Sequence, residues 1–195
     1  MHEALRILRD EHRSISAVLS GLRELARMAR ESAVRPDFAV FRAMIHYIDA
    51  VPEKLHHPKE DDHLFARLLQ RAPEAAPLVR GLQGEHAESA HLVRELERAV
   101  LGYEQSWPGG GAEFRDAVEA YAQFHWQHMR KEEQVLLPLA EQRLTAADWA
   151  AIAQAFAANE DPIAGIAAQD YRRLFQRITQ IAPAPVGLGA PWKPG

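Results

Sequence analysis

The 195-residue chain contains no cysteine. Disulfides, thiolate metal sites and thiol chemistry are thereby excluded. Nor does any apolar run approach the roughly 20 residues needed to span a bilayer, so the pattern offers nothing for a membrane role. Neither sign of charge dominates: 23 basic against 27 acidic residues leave a formal net charge of −4. Nucleic-acid binding would call for a basic face, and this mild acidity gives no electrostatic case for one. The N-terminus, Met1-His2-Glu3-Ala4-Leu5-Arg6, enters an amphipathic pattern at once, without the charged-then-apolar layout of a secretory signal. A cytoplasmic protein is the expectation. What the chain does have is ten histidines, and their positions are not random.

Apolar periodicity is helical throughout, and no strand pattern competes with it. Residues 4 to 30 place Leu5, Leu8, Ile15, Leu19, Leu22 and Ala26 on one stripe, with His12 among them. Pro36-Asp37 opens a second helix that buries Phe41, Ile45 and Ile48 and runs to about Leu69. Pro52 and Pro58 lie inside it, so a kink is expected, or a restart near Pro58. A third helix from Pro73 carries Leu78, Leu82, His86, Ser89, Val93, Leu96 and Val100 on one face. The clearest loop is Trp107-Pro108-Gly109-Gly110-Gly111. A fourth helix then aligns Phe114, Val118, Tyr121, His125, His128, Glu132, Val135 and Leu139. Thr145-Ala146-Ala147-Asp148 reads as a capping box for a short fifth helix. Asp161-Pro162 caps a sixth, running to about Ile181. The fold class is therefore all-α: an antiparallel four-helix bundle over about 4–142 with two additional short C-terminal helices over about 145–181. Residues 1–181 form one metal-binding helical domain, and the Pro/Gly-rich residues 182–195 read as a loose tail.

Two stretches say nearly the same thing. His56-His57-Pro58-Lys59-Glu60 and His128-Met129-Arg130-Lys131-Glu132 each set a histidine four residues before a glutamate. On a helix such residues lie one above the other. Glu11-His12 and Glu85-His86 repeat as well: His86 follows His12 by 74 residues, while His128 follows His56, and Glu132 follows Glu60, by 72. The chain thus reads as two helical hairpins, each giving one histidine and one His-x-x-x-Glu pair. Together His12, His56, Glu60, His86, His128 and Glu132 would supply four imidazoles and two carboxylates to a bundle interior. That inventory suits two metal ions, each on two imidazoles, with the carboxylates bridging and coordination positions left open. Nitrogen and oxygen donors without thiolate suit iron, manganese or zinc. His125, one turn before His128, is a further ligand or a pocket residue; His63 faces roughly as His56 does, and Glu133 rivals Glu132. His57 lies about 100° from His56 on an α-helix, and both it and His91 are expected on the surface. His2 and His46 have no matching partner. A break at Pro58 would bring His57 or Asp61 inward in place of a named ligand. Ile15, Ile48, Ser89 and Tyr121 are the neighbours expected to govern access.

Taken together these motifs resemble the hemerythrin-like HHE cation-binding domain, over roughly residues 5 to 140. Leu144 to Trp149 and Asn159-Glu160-Asp161-Pro162 are similar to bacterial members. The resemblance implies a non-haem centre of two iron ions, oxo- or hydroxo-bridged, on the six residues named, with Glu60 and Glu132 as bridges. It further implies dioxygen or nitric oxide as a small ligand, together with a redox partner. Members bind dioxygen, sense oxygen or redox state, or act in nitric oxide response and in repair of iron–sulfur centres. Two departures from the oxygen carriers stand out. Ala90 occupies the place of a second histidine four residues after His86, and helix four carries glutamate at i+4 where they carry aspartate at i+5. Absence of cysteine argues against thiol-dependent repair. The expected function is a di-iron protein that binds a diatomic ligand for sensing, scavenging or stress response. The alternatives are a di-iron oxidase or peroxidase, or a protein of iron–sulfur repair.

Overall fold

A computed structural model describes residues 2–158 and 168–193. Helix α1, Glu3–Glu31, buries Leu5, Leu8, His12, Ile15, Leu19, Leu22 and Ala26, the stripe expected from the periodicity. Helix α2, Phe38–Ile48, is capped by Asp37, whose carboxylate accepts the Ala39 N–H at 2.9 Å. Rather than breaking at the prolines, this second stretch stays helical to Arg71. It runs through a π-helical segment π1 (Asp49–His56), one α turn α3 (His57–Lys59), a second segment π2 (Glu60–Phe65) and α4 (Ala66–Arg71). Proline lacks an N–H and crowds the carbonyl four residues back. Winding loosened to the i→i+5 pattern around Pro52 and Pro58 keeps the backbone helical where an α ladder would lose a donor.

After a tight 3-10 turn at Pro73–Ala75 comes α5, Ala76–Ser106, which buries Leu82, His86, Ser89, Val93, Leu96 and Val100. Val79 replaces Leu78 as the fully buried residue of its first turns. The glycine turn follows, with Gly110 at φ 76°. A Cβ there would lie 3.0 Å from the Tyr103 Cα, so the turn needs glycine for both reasons. Helix α6 (Gly111–Lys131), a third segment π3 (Glu132–Leu136) and α7 (Leu137–Arg143) form the fourth long stretch. Helices α8 (Ala146–Ala158) and α9 (Ala168–Ile181) complete the described elements. The expected Asp161-Pro162 cap lies outside the described residues. Among these residues there is no β-strand, only an isolated bridge between Pro183 and Gly189. No helix among the described residues is long and apolar enough to cross a membrane.

Helix α6 packs against both α1 and α5, α8 lies on α1, and α9 on α2. The core between them is divided. One apolar cluster holds Ile15, Leu19, Phe41, Leu55, Val93 and Phe114; the other holds Leu5, Leu8, Phe65, Leu82, Leu136 and Trp149. His12 falls between Leu8 and Ile15, and His86 between Leu82 and Val93, so a polar band crosses the core between two dry layers.

Residues 182–193 are not the loose tail the composition suggested. Leu188 N–H donates to the Thr179 carbonyl at 2.8 Å and Gly189 N–H to that of Ala182 at 2.7 Å. Trp192 packs against Phe41 with ring centroids 6.3 Å apart. Proline and glycine here serve a tight return onto the helices.

The expected capping box is formed in full. Asp148 N–H donates to Thr145 Oγ1 at 3.2 Å and Thr145 N–H to Asp148 Oδ2 at 3.0 Å. Arg71 also binds the carboxylate, through Nε at 2.8 Å, tying α4 to α8. Hydrogen bonds from Arg71 and Thr145 hold the Asp148 carboxyl well below its ordinary 3.8. Thr145→Ala is expected to lower unfolding free energy by about 1 kcal/mol in urea titrations. A depressed folded value means stability present above 3.8 and lost as pH falls below it. The stability gap between the wild type and Asp148→Asn should therefore narrow in acid, and a gap unchanged between pH 7 and pH 3 would contradict the assignment.

Candidate metal centre

Six side chains meet where the polar band crosses the core. His12 comes from α1, His56 from the end of π1, Glu60 from the start of π2, His86 from α5, His128 from α6 and Glu132 from the start of π3. Glu60 and Glu132 are fully buried, and none of the four imidazoles is more than 7% exposed. The carboxylates stand at matching points, each at the first residue of a π-helical segment. In an α-helix consecutive residues diverge by about 100°. The wider π turn reduces that divergence, so Glu60 and Asp61, and likewise Glu132 and Glu133, can both serve the cluster.

The six inward donors form two overlapping sets. His12 Nε2 lies 3.1 Å from His56 Nε2, and His86 Nε2 lies 3.2 Å from His128 Nε2. Glu132 reaches both pairs, at 3.3 Å from His12 Nε2 and 3.1 Å from His128 Nε2. Glu60 does the same, at 3.5 Å from His56 Nε2 and 3.6 Å from His86 Nε2. Ligand atoms of His12, His56, Glu60 and Glu132 fall within 4.8 Å of one another, as do those of Glu60, His86, His128 and Glu132. Two donors bound to one ion at about 2.1 Å and a right angle would stand about 3.0 Å apart, close to these separations.

Outward, each imidazole meets a carboxylate of its own. His56 Nδ1 donates to Glu11 at 2.8 Å, His128 Nδ1 to Glu85 at 2.9 Å, His12 Nδ1 to Glu133 at 3.0 Å and His86 Nδ1 to Asp61 at 3.1 Å. Lys59 pairs with Glu11 and Lys131 with Glu85, so the halves match beyond the six inner residues. A proton held on Nδ1 turns the Nε2 lone pair inward, the arrangement that orients metal-binding histidines. Two such lone pairs about 3 Å apart repel unless a proton or a cation lies between them. All four oxygens of Glu60 and Glu132 are buried without a hydrogen-bond partner. Leaving a carboxylate so placed costs on the order of several kcal/mol, which a bound cation would offset. The residues present fit a pair of metal ions.

Electrostatics point the same way. Burial and the nearby Glu132 charge push the Glu60 carboxyl well above its ordinary value. Burial works against Glu132 too, but the close imidazoles of His12 and His128 outweigh it and hold this carboxyl well below. Burial likewise disfavours the charged forms of His12 and His86. Glu132 and Glu133 outweigh it at His12, and Asp61 and Glu132 at His86, raising both to about 9. Burial keeps His56 down at about 4 despite Glu11. Without metal, His12 and His86 thus favour their charged forms beside the shared carboxylates.

The remaining histidines divide differently from expectation. His57, expected on the surface, is 3% exposed. The loosened winding of π1 and π2 on either side turns it inward. Its ring stacks on that of His86, with centroids 4.1 Å apart, and faces His125 at 5.5 Å. His125 does not join the six; its Nε2 lies 2.8 Å from Ser89 Oγ and 3.6 Å from Glu53. His63 stays at the periphery against Phe156, and Glu133 is half exposed in its outer role. Asp61 is an outer partner, not a replacement ligand. His46 and His91 are exposed, and His2 stacks on Trp149. The outer carboxylates Glu11 and Glu85 were within reach of sequence reasoning, since each precedes a cluster histidine in both halves. Glu53 carried no such signal.

Residues 3–140 match the family model described as Hemerythrin HHE cation binding domain. Comparison with curated proteins finds no match.

The outer carboxylates give a test of the cluster as a metal centre. Glu85→Ala removes the acceptor that orients His128 and should weaken metal binding about 10- to 100-fold in equilibrium dialysis. His91→Ala, on an exposed surface, should leave it unchanged. Equal loss in both variants would contradict the arrangement.

Proposed function

The chain belongs to the hemerythrin HHE cation-binding family. On that premise we propose that it is a non-haem di-iron protein whose open coordination positions take dioxygen or nitric oxide, in sensing, scavenging or stress response. The scaffold in this reading is an antiparallel four-helix bundle made of the four long helical stretches. His12 and His56 hold one ion, His86 and His128 the other, and Glu60 and Glu132 are shared. The observation that carries it is four unpaired carboxylate oxygens in a dry interior, ringed by four inward imidazole nitrogens. Imidazole and carboxylate suit iron, with manganese or zinc as the other fits to this donor set. Iron so held supplies redox chemistry and open positions for a diatomic ligand.

The protein's own part is placement and exclusion. Glu11, Glu85, Glu133 and Asp61 hold the Nδ1 protons and fix the rings. The two apolar clusters keep bulk water from the centre. A cavity of about 370 Å³ is lined by both His86 and Ala90. A methyl group at that position leaves room where an imidazole would fill it, which supports access by a small ligand. An oxidase or peroxidase acting on an organic substrate is less well supported, because Asp49, Lys54, Asp61, Arg94 and Glu97 make this cavity strongly charged.

Metal analysis and visible absorption of anaerobically purified protein test the reading. At least about two iron ions per chain are expected, with a visible spectrum that changes reversibly on exposure to dioxygen or nitric oxide. His128→Ala should lose at least one ion. Less than one metal ion per chain after iron-replete growth would sink the proposal. Irreversible oxidation with turnover would favour the enzyme instead.

A further inference from the structure

A second group of buried polar side chains lies beside the six-residue cluster, and the di-iron reading does not use it. Glu53 and His57 are four residues apart on the second helical stretch, and His125 faces them from α6. The His57 Nδ1 lies 3.5 Å from Glu53 Oε2, and the His125 Nε2 lies 3.6 Å from Glu53 Oε1. One ligand atom from each of the three falls within 4.8 Å of the others. Both ring nitrogens of His57 lack a hydrogen-bond partner although the residue is 3% exposed. A neutral imidazole has one donor and one acceptor to satisfy, and neither is met here by a hydrogen bond.

We propose that Glu53, His57 and His125 form a third cation site, mononuclear and distinct from the dinuclear cluster, for a divalent first-row transition ion. Two imidazoles and one carboxylate are a donor set that such ions accept with positions left open. The separations of 3.5 and 3.6 Å are somewhat wider than the edge of about 3.0 Å expected for bonds of about 2.1 Å at a right angle. Small side-chain movements inward close that difference.

The surroundings of the three residues suit a cation. Ser89 and Tyr121 both donate hydroxyl protons to Glu53, the latter at 3.2 Å, which fixes the carboxylate in place. With its own proton given to Glu53, Ser89 Oγ accepts from His125 Nε2 at 2.8 Å. An ion would take over that nitrogen, with its proton moving to Nδ1 or to solvent. Access exists: the cavity of about 370 Å³ described above is lined by Asp49, Glu53, His57 and Glu97. Asp49, Glu53, Asp61 and Glu97 outnumber Lys54 and Arg94 along it, a balance that would favour an approaching cation.

Zinc titration of the metal-free full chain reads the site by stoichiometry. About three zinc ions per chain are expected for the wild type, and about two for Glu53→Gln and for His125→Ala. Two in the wild type, or three retained in both variants, would overturn the assignment. Glu53→Gln nearly preserves shape, and its helical circular dichroism checks that it folds. Should the variants fail to fold, anomalous scattering at the zinc edge from wild-type crystals decides the matter. A peak between Glu53, His57 and His125 supports the site; peaks confined to the six-residue cluster refute it. Loss of the dinuclear peaks alone would count against the di-iron reading and leave this site standing.

Discussion

Two fully buried glutamates govern the organisation of this protein. Glu60 and Glu132 sit in the interior with no hydrogen bond to any carboxylate oxygen. Charged groups in such a place are tolerable only with counter-charge. Four imidazoles surround them, and each imidazole is held from behind by a further carboxylate. This layering explains why the polar band can cross the core at all. Apolar clusters above and below exclude water, which strengthens each electrostatic contact within the band and raises the penalty for leaving any of them unmade. A metal-free cluster meets that demand in part with protons on His12 and His86. Cations meet it more fully, since they satisfy both carboxylates and separate the facing nitrogens.

The second constraint is helical winding. Both glutamates begin π-helical segments, and both π2 and π3 let two consecutive acids face the cluster, one inside and one behind a histidine of another helix. The halves of the chain repeat this device with their own lysine: Lys59 with Glu11, Lys131 with Glu85. Duplication therefore extends from the inner donors to their outer supports. It does not extend to the prolines. Only the first half carries Pro52 and Pro58 here, and only there does a third π segment, π1, appear. That asymmetry turns His57 inward and, with Glu53 on the same stretch, builds a second polar group on one side of the cluster.

Family membership and geometry bear on function at different depths. The family establishes cation binding. The cluster's chemistry, nitrogen and oxygen donors without sulfur, narrows the metals. Ala90 lines the charged cavity that reaches His86, and the proposal of a small ligand over a bulky organic substrate rests on that. His57 lines the same cavity, so any cation held beside it would stand next to the route proposed for a small ligand.

Helical period, the repeated His-x-x-x-Glu pairs and their near-constant offset were legible in the chain. They depend only on local geometry: residues four apart stack on any helix, and a repeated spacing survives whatever the packing does. His12, His56, Glu60, His86, His128 and Glu132 could be chosen on that basis, and the structure brings them together. Other features depended on where one helix lay against another. Pairing Glu11 with His56, or Asp61 with His86, requires the packed arrangement, because their separations in sequence say nothing about contact. His57 was misplaced for a definite reason: a 3.6-residue period rotates it away from His56, whereas the π winding on either side of it rotates it back. The tail was misjudged because glycine and proline signal both looseness and tight return, and only contacts with Thr179, Ala182 and Phe41 distinguish them. Local spacing determined which residues could bind together; the packing of the helices and their departures from α winding decided which ones face the centre and what stands behind them.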